Sequence, residues 1–351
     1  MGSNLSRSIL VSTLGVLALA ACGERNTPTG PQESPSLEAA AALSYSAEDI
    51  LGLGAEADSR ATAINTAGHI VGYAFFPDDI FRVFIWKNGV VTGFGSSLGG
   101  SHARGFDIND GGQVVGSAEN ANGRMRAFRW ASGTMRSLGT LGGNESAAFA
   151  INNGGDVVGE SRLAGTTRRH AFLVRNGVMS DLGTLGGGNS SARDINDAGQ
   201  VVGWSETATG IRHPFLWENG VMRDLLPSGS TSTGTAYAIS PLGVVVGERN
   251  NRAFRWANGV FGGLGLANLG PSVATGIRGS RIVGQIGNQA FVLVGGELTL
   301  LPFLSNGVSS VAYAVNGSGV VVGSTTKELD DSPGCNGGCA AFQIVTRWAP
   351  E

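Results

Sequence analysis

Leu138–Gly159 reads LGTLGGNESAAFAINNGGDVVG, and Leu182–Gly203 reads LGTLGGGNSSARDINDAGQVVG; the two align without a gap, with 14 of 22 positions identical. Weaker copies run along the rest of the chain. One landmark of the repeat, Ile-Asn or its counterpart, falls at Ile64, Ile108, Ile151, Ile195, Ile239, Ile277 and Val315, a period of 38 to 44 residues. That period suits one four-stranded blade of a β-propeller, and seven starts predict seven blades. Glycine is abundant (57 of 351 residues) and charged residues make up only 15%. Short strands and turns follow from that composition better than long helices do.

Each unit has four parts. After the Ile-Asn segment comes Asn-x-x-Gly, as in Asn109-Asp110-Gly111-Gly112 and Asn196-Asp197-Ala198-Gly199. Asn and Asp tolerate left-handed backbone and Gly supplies positive φ, so a tight hairpin is predicted there. Next is an apolar pair and glycine, such as Val158-Gly159 or Val202-Gly203, apolar on both faces like a strand covered by neighbouring blades. The third part is an aromatic strand, with cores at Phe84, Phe128, Phe172, Phe215, Phe254, Phe291 and Phe342. Phe and Trp alternate in it and so share a face, while Arg129 and Arg255 between them imply a face that reaches water. Asn-Gly then turns the chain into the fourth strand (Asn88-Gly89, Asn176-Gly177, Asn219-Gly220, Asn258-Gly259). In the quoted stretch, Leu-Gly-Thr-Leu-Gly-Gly reads as an outer strand closing one blade, and Asn144–Ala148 as the crossing to the channel.

The ends carry the strongest architectural argument. The seventh unit stops near Trp348 with no fourth strand, while Asp49–Gly54 precedes the first unit and keeps the spacing of Asp181, Leu185 and Gly186. A closed ring explains both, with an N-terminal strand completing the last blade and protecting edges that an open solenoid leaves exposed. The predicted fold is therefore all-β: a seven-bladed propeller of four-stranded antiparallel blades over residues 45–351.

These units resemble the HAF repeat of bacterial extracellular proteins. The His-Ala-Phe stands complete at His170-Ala171-Phe172 and altered at His213-Pro214-Phe215, Arg126-Ala127-Phe128 and Arg252-Ala253-Phe254. Gly-Val-Met-x-Asp-Leu-Gly-Thr-Leu-Gly-Gly and Ile-Asn-x-x-Gly-x-Val-Val-Gly match too, and the likeness covers about residues 45–348. It implies a surface or secreted location and carries over no established activity.

The N-terminus points the same way. Ile9–Ala20 is an apolar run of signal-peptide length, too short for a permanent span, and it ends Leu19-Ala20-Ala21-Cys22. This resembles the lipobox of bacterial lipoproteins, which implies a signal peptide over residues 1–21 and lipidation of Cys22. An ordinary secretory signal cleaved after Ala20 is the alternative. Gly23 after the cysteine favours the outer membrane by resemblance to enterobacterial sorting. Residues 22–44 read as a Pro/Ser/Thr-rich tether, whose 20 or so flexible residues reach roughly 25 Å.

Candidates for chemistry are few. Asp107, Asn109, Asp194 and Asn196 alternate oxygen side chains around a Gly-containing turn, which suits calcium and resembles the loops of FG-GAP propellers. The downstream acidic ligand of those loops is missing, and turn formation explains the pattern without a metal. Asp107 and Asp194 are the only acids of the inner segments. His170 and His213 share a repeat position that reads as structural. Cys335 and Cys339 lie in an insertion, Thr325–Ala340, and read as a disulfide in an oxidising compartment, with a redox pair or half a metal site as alternatives. Asp330 and Asp331 in that insertion are a candidate contact point. No P-loop, Gly-x-Ser-x-Gly or metal-ligand spacing occurs, and a net charge of −3 gives no basic footprint for nucleic acid.

The expected function is a non-enzymatic, lipid-anchored surface or secreted scaffold that binds an envelope or extracellular protein or glycan, without a cofactor. The alternative is a secreted enzyme acting on polysaccharide or another envelope substrate at the channel mouth. A passive surface-coat component is a third reading.

Overall fold

The computed structural model describes residues 43–51, 58–76, 78–328 and 341–351. These form seven four-stranded antiparallel sheets arranged as the blades of a propeller. The innermost strands, in order, are Ser59–Ile64, Gly99–Ile108, Gly142–Ile151, Gly186–Ile195, Gly234–Ile239, Ser272–Arg278 and Gly307–Val315. Each is followed by its second and third strands and, in six blades, by a fourth. The seventh blade takes its fourth strand from the other end of the chain. Tyr45–Glu48 pairs antiparallel with Ala341–Pro350, placing Ala47 opposite Trp348.

The repeat consensus has a direct steric origin. The glycine of each Val-Val-Gly lies opposite the phenylalanine of the third strand, as in Gly72 opposite Phe84 and Gly203 opposite Phe215. A Cβ on Gly72 would sit 1.9 Å from the Arg60 carbonyl oxygen and 2.7 Å from the Phe84 ring. Only glycine lets the ring and the inner strand close over the same point. The third-strand phenylalanines Phe84, Phe128, Phe172, Phe215, Phe254 and Phe291 are buried, each worth roughly 1.5–3 kcal/mol of transfer free energy. They face the preceding blade: Phe172 packs with Val115 and Ala127, while Ala171 and Leu173 of the same strand pack against Phe215 of the next. The Asn-Gly hairpins have φ of +49° to +52° at Asn88, Asn176, Asn219 and Asn258, followed by Gly at +80° to +84°, as two-residue type I′ turns demand.

Inner-strand serines join blade to blade. Ser146, Ser190, Ser272 and Ser310 each accept, through Oγ, the amide proton of an alanine on the preceding blade's third strand, at 2.9–3.0 Å. Ser59 does the same for Val345, so the junction between the chain ends is built like the internal ones. Ile50, Ala61 and Phe84 from one end meet Val322 and Val345 from the other in a shared apolar cluster.

Three expectations are corrected in detail. The seventh aromatic core is not Phe342. Gly323 lies opposite Thr346 and Val321 opposite Trp348, so Thr346 holds the phenylalanine position and the motif is Thr346-Arg347-Trp348. Phe342 belongs to a lengthened hairpin, opposite Lys327. The strand completing the last blade is Tyr45–Glu48, just before Asp49; Asp49 ends it by accepting the Leu51 amide proton (3.0 Å), as Asp181 does for Gly183 (2.7 Å). Leu53 and Gly54 lie outside the described residues. The Leu-Gly-Thr-Leu-Gly-Gly run is mainly a link: the outer strands are Thr134–Gly139 and Val178–Asp181, and Asn144–Ala148 already belongs to an inner strand. The expected signal segment, Cys22, most of the tether, and Asp330, Asp331, Cys335 and Cys339 also lie outside the described residues.

Candidate functional site

A classical-looking pair of inner-strand strands and a turn repeats around the axis and builds a channel in layers. The waist is formed by Ala63, Asp107, Ala150, Asp194, Ala238, Gly276 and Ala314. Just before each of these the register slips by one residue, as between Gly105 and Asp107 or Ala192 and Asp194. Such a bulge re-aims side chains. The bulged residues, Thr62, Phe106, Phe149, Arg193, Tyr237, Thr275 and Tyr313, line one mouth; the Asn-x-x-Gly hairpins line the other.

At the hairpin mouth the asparagines are structural. Asn109 Nδ2 donates to the Asn152 carbonyl (3.1 Å), Asn152 Nδ2 to that of Asn196 (3.2 Å), and Asn196 Nδ2 to that of Ser240 (3.1 Å). Each Oδ1 meanwhile accepts an amide proton of its own turn, from Gln113 for Asn109 and from Gln200 for Asn196. Outside this ladder, Asn153 bridges Asp110 and Asp197 through Nδ2 at 3.2 and 3.1 Å. Burial alone would raise Asp110, but the Thr66 amide and hydroxyl, Asn153 and the Arg278 charge together hold its carboxyl below the ordinary range.

Asp107 and Asp194 both line the waist. Asp107 accepts amide protons from Ile108 and, across the blade junction, Ile151, both at 2.8 Å. Asp194 accepts them from Ile195 (2.7 Å) and Ile239 (2.8 Å). Each keeps some contact with the channel space, yet protein surrounds it on every side. This desolvation raises Asp107 to about 6 against the pull of its two amides. It raises Asp194 to about 7, with the nearby Asp107 charge adding to burial and the amides and Arg278 opposing it. The four calcium candidates are thus divided: two carboxylates clasp neighbouring backbone, and two amides stitch the next layer. Among the described residues no three His, Cys, Asp or Glu side chains gather as a cation would need.

The opposite mouth was not legible as a site. A belt of half-buried rings runs across it: Tyr73 and Phe81 lie 5.8 Å apart, Tyr73 and Phe106 6.1 Å, and Phe106 and Phe149 5.5 Å. The Arg193 guanidinium lies 4.6 Å from the Phe149 ring centre, and that of Arg104 4.2 Å from Phe81. Burial lowers the Arg193 pKa, partly offset by Glu160 and Tyr237, and burial raises Tyr73 against the charges of Arg60 and Arg104. A groove of about 470 Å³ leads outward from this mouth between Phe81, Arg104, Phe106 and Phe149. That volume is within the range of small-ligand sites.

The two histidines that share a repeat position serve the fold. His213 Nδ1 lies 2.7 Å from Asp224, whose other oxygen accepts the Leu226 amide proton (2.9 Å). His170 makes the same contact with Asp181 at 2.8 Å. The His of the third strand and the Asp of the fourth thus form one clasp at the end of a blade.

No family model matches this chain, and no curated protein does. Solved structures with the same fold include a puromycin-hydrolysing peptidase of Mycobacterium tuberculosis, 13% identical, with a TM-score of 0.57 over 85% of this chain and 52% of that one. An oligogalacturonate lyase of Vibrio parahaemolyticus is 10% identical, with a TM-score of 0.53 over 88% of this chain and 97% of that one. A puromycin hydrolase is 15% identical, with a TM-score of 0.50 over 80% and 52%. The chain therefore spans about half the length of the two hydrolases. At these identities the likeness establishes the propeller architecture alone.

Proposed function

We propose that this protein is a lipid-anchored scaffold of the cell envelope, exposed at the surface or secreted, which binds an envelope or extracellular ligand and performs no chemistry on it. The anchor is Cys22, and the resemblance to HAF-repeat proteins belongs to this reading. One observation carries the binding site: the side chains of Arg60, Arg104 and Arg193 form no ion pair or hydrogen bond among the described residues, although Arg60 and Arg193 each have a buried Nε. Buried polar groups are ordinarily satisfied. Guanidinium groups without an acidic partner, set beside half-buried rings, suit a mouth that a ligand completes.

The test immobilises the protein and its Arg60→Gln/Arg104→Gln/Arg193→Gln variant and passes solubilised envelope material over both. The native protein retains a component that the variant does not. Equal retention by the two, or none by either, overturns the assignment of the mouth. Radiolabelled palmitate tests the anchor: it enters the native chain and not Cys22→Ser, and label in neither overturns lipidation.

A second reading, a secreted enzyme acting on polysaccharide at the channel, has its own support in two carboxyls raised to about 6 and 7 within one channel. Perturbed acids collect at active sites, though structural burial produces them too. Against it stand the narrow cavities on the two sides of the waist, about 160 and 180 Å³, and the two backbone amides already held by each carboxylate. Release of reducing ends from envelope polysaccharides, lost in Asp107→Ala and Asp194→Ala, would establish it.

A further inference from the structure

We propose that the aromatic mouth and its groove bind an acidic oligosaccharide, with the guanidinium groups of Arg104 and Arg193 taking its carboxylates and the ring belt packing against its sugar faces. The inference rests on the binding reading above and names the ligand class for that same site.

The charge argument comes first. Arg104 and Arg193 lie over Phe81 and Phe149, so each guanidinium is held by an aromatic face. Arg104 keeps its N–H groups without an acidic partner, a fork that matches a carboxylate bidentately, while Arg193, whose Nε is buried, offers its terminal Nη groups. Neither arginine pairs with an acid among the described residues. The groove does contain a carboxylate, Glu145, but Arg162 (2.9 Å) and Arg169 (2.7 Å) already neutralise it. The open charge at the mouth is therefore positive, on a chain whose net charge is −3.

The second argument separates a sugar from other anions. A simple anion needs no aromatic belt. Phe81, Tyr73, Phe106 and Phe149 continue the groove into the channel mouth, because Phe106 and Phe149 line both. Aromatic surface beside hydroxyls suits a ligand with apolar C–H faces and a polar rim. Tyr237 and Tyr313 supply those hydroxyls at the mouth, while Thr62 and Thr275 donate theirs to backbone carbonyls and are left only to accept. Each innermost strand is an edge of its blade and would also offer a peptide backbone partners, so polyaspartate is the control that separates the two.

The experiment is calorimetric titration of the purified protein at low salt. The probes are tetramers of galacturonate, glucuronate and mannuronate, each with its carboxyl-reduced neutral counterpart, and polyaspartate of similar charge. At least one uronate tetramer is expected to bind ten-fold or more tightly than both its neutral form and polyaspartate. Arg104→Gln and Arg193→Gln each weaken the acidic tetramer at least five-fold and leave the neutral one unchanged, whereas Phe149→Leu weakens both. Unchanged circular dichroism and melting show that the variants fold. Equal binding of acidic and neutral forms overturns the proposal, as does polyaspartate binding as tightly, or no uronate binding to folded protein. If it fails while the mouth-dependent retention of envelope material persists, the binding reading stands and only the ligand class falls.

Discussion

Ser59 Oγ accepts the amide proton of Val345 at 3.1 Å, joining residues 286 positions apart. The hydroxyl sits in the buried seam between the first and last blades, where no water can replace it. Removing one partner of a buried hydrogen bond costs about 1–3 kcal/mol. Ser59→Ala is therefore expected to lose that much stability, read as a lower urea midpoint with an unchanged slope. Ser310→Ala, which strips the same bond from Ala290 at an internal seam, should cost about as much. A far smaller loss for Ser59→Ala would mean that the ring is not closed in solution.

The two kinds of glycine should behave differently. A Cβ on Gly203 would lie 2.0 Å from the Ser191 carbonyl oxygen, inside the second strand. No side chain can move aside there, so Gly203→Ala is expected to cost upwards of about 4 kcal/mol or to prevent folding. Gly220 has a φ of +84° and nothing within 4 Å of a Cβ. Gly220→Ala pays only the backbone strain, on the order of 1–2 kcal/mol. Thermal melts of the pair read the difference, and similar losses would refute the packing account.

The His–Asp clasp is predicted from burial. His213 is almost fully buried and bridges Asp224 and the Ser230 carbonyl (3.2 Å), whereas the His170 contact is at the surface. His213→Ala leaves a cavity and loosens two partners, so a loss of about 2–4 kcal/mol is expected. His170→Ala should cost about 1 kcal/mol or less, as exposed polar pairs do. Denaturant titration of both distinguishes a structural clasp from an inert pair.

How legible all this was depended on whether a residue repeats. Val-Val-Gly, Asn-x-x-Gly and Asn-Gly recur because every blade needs the same close approach and turns, so the fold could be read from the spacing. Thr346 could not be read by aromatic matching. The seventh blade replaces the ring with a buried hydroxyl pair, Thr346 to Thr325 at 2.9 Å, while Phe342 mimics the motif four residues early. The better signal was Arg347-Trp348-Ala349, which repeats Arg129-Trp130-Ala131 and Arg255-Trp256-Ala257. The aromatic mouth was hidden for the opposite reason. Its side chains come partly from the bulged position, which runs Thr, Phe, Phe, Arg, Tyr, Thr and Tyr from blade to blade, and partly from Arg60, Tyr73, Phe81 and Arg104 outside it, so no single motif marks the mouth.

The waist carboxyls make a prediction whose sign is unusual. A paired carboxylate ordinarily has a lowered pKa and stabilises a fold above it. Asp107 and Asp194 are raised, to about 6 and about 7 from an ordinary value of 3.8. Below about pH 4 both are protonated whether the chain is folded or not, and they impose no penalty. Between pH 4 and 7 the folded chain keeps protons that the unfolded chain has released, so stability falls as pH rises and levels off above about 7. Each tenfold change in proton affinity is worth about 1.4 kcal/mol, which puts the combined fall at roughly 7 kcal/mol. Four other blades carry alanine at this position, so Asp107→Ala/Asp194→Ala should fold. Its stability relative to the native protein should rise from pH 4 to pH 8, because carboxyls such as Asp110, which act in the opposite direction, cancel in the comparison. Urea midpoints across that range measure it. Parallel curves for the two proteins would show that both acids ionise freely, and would remove the main support for proton chemistry in the channel.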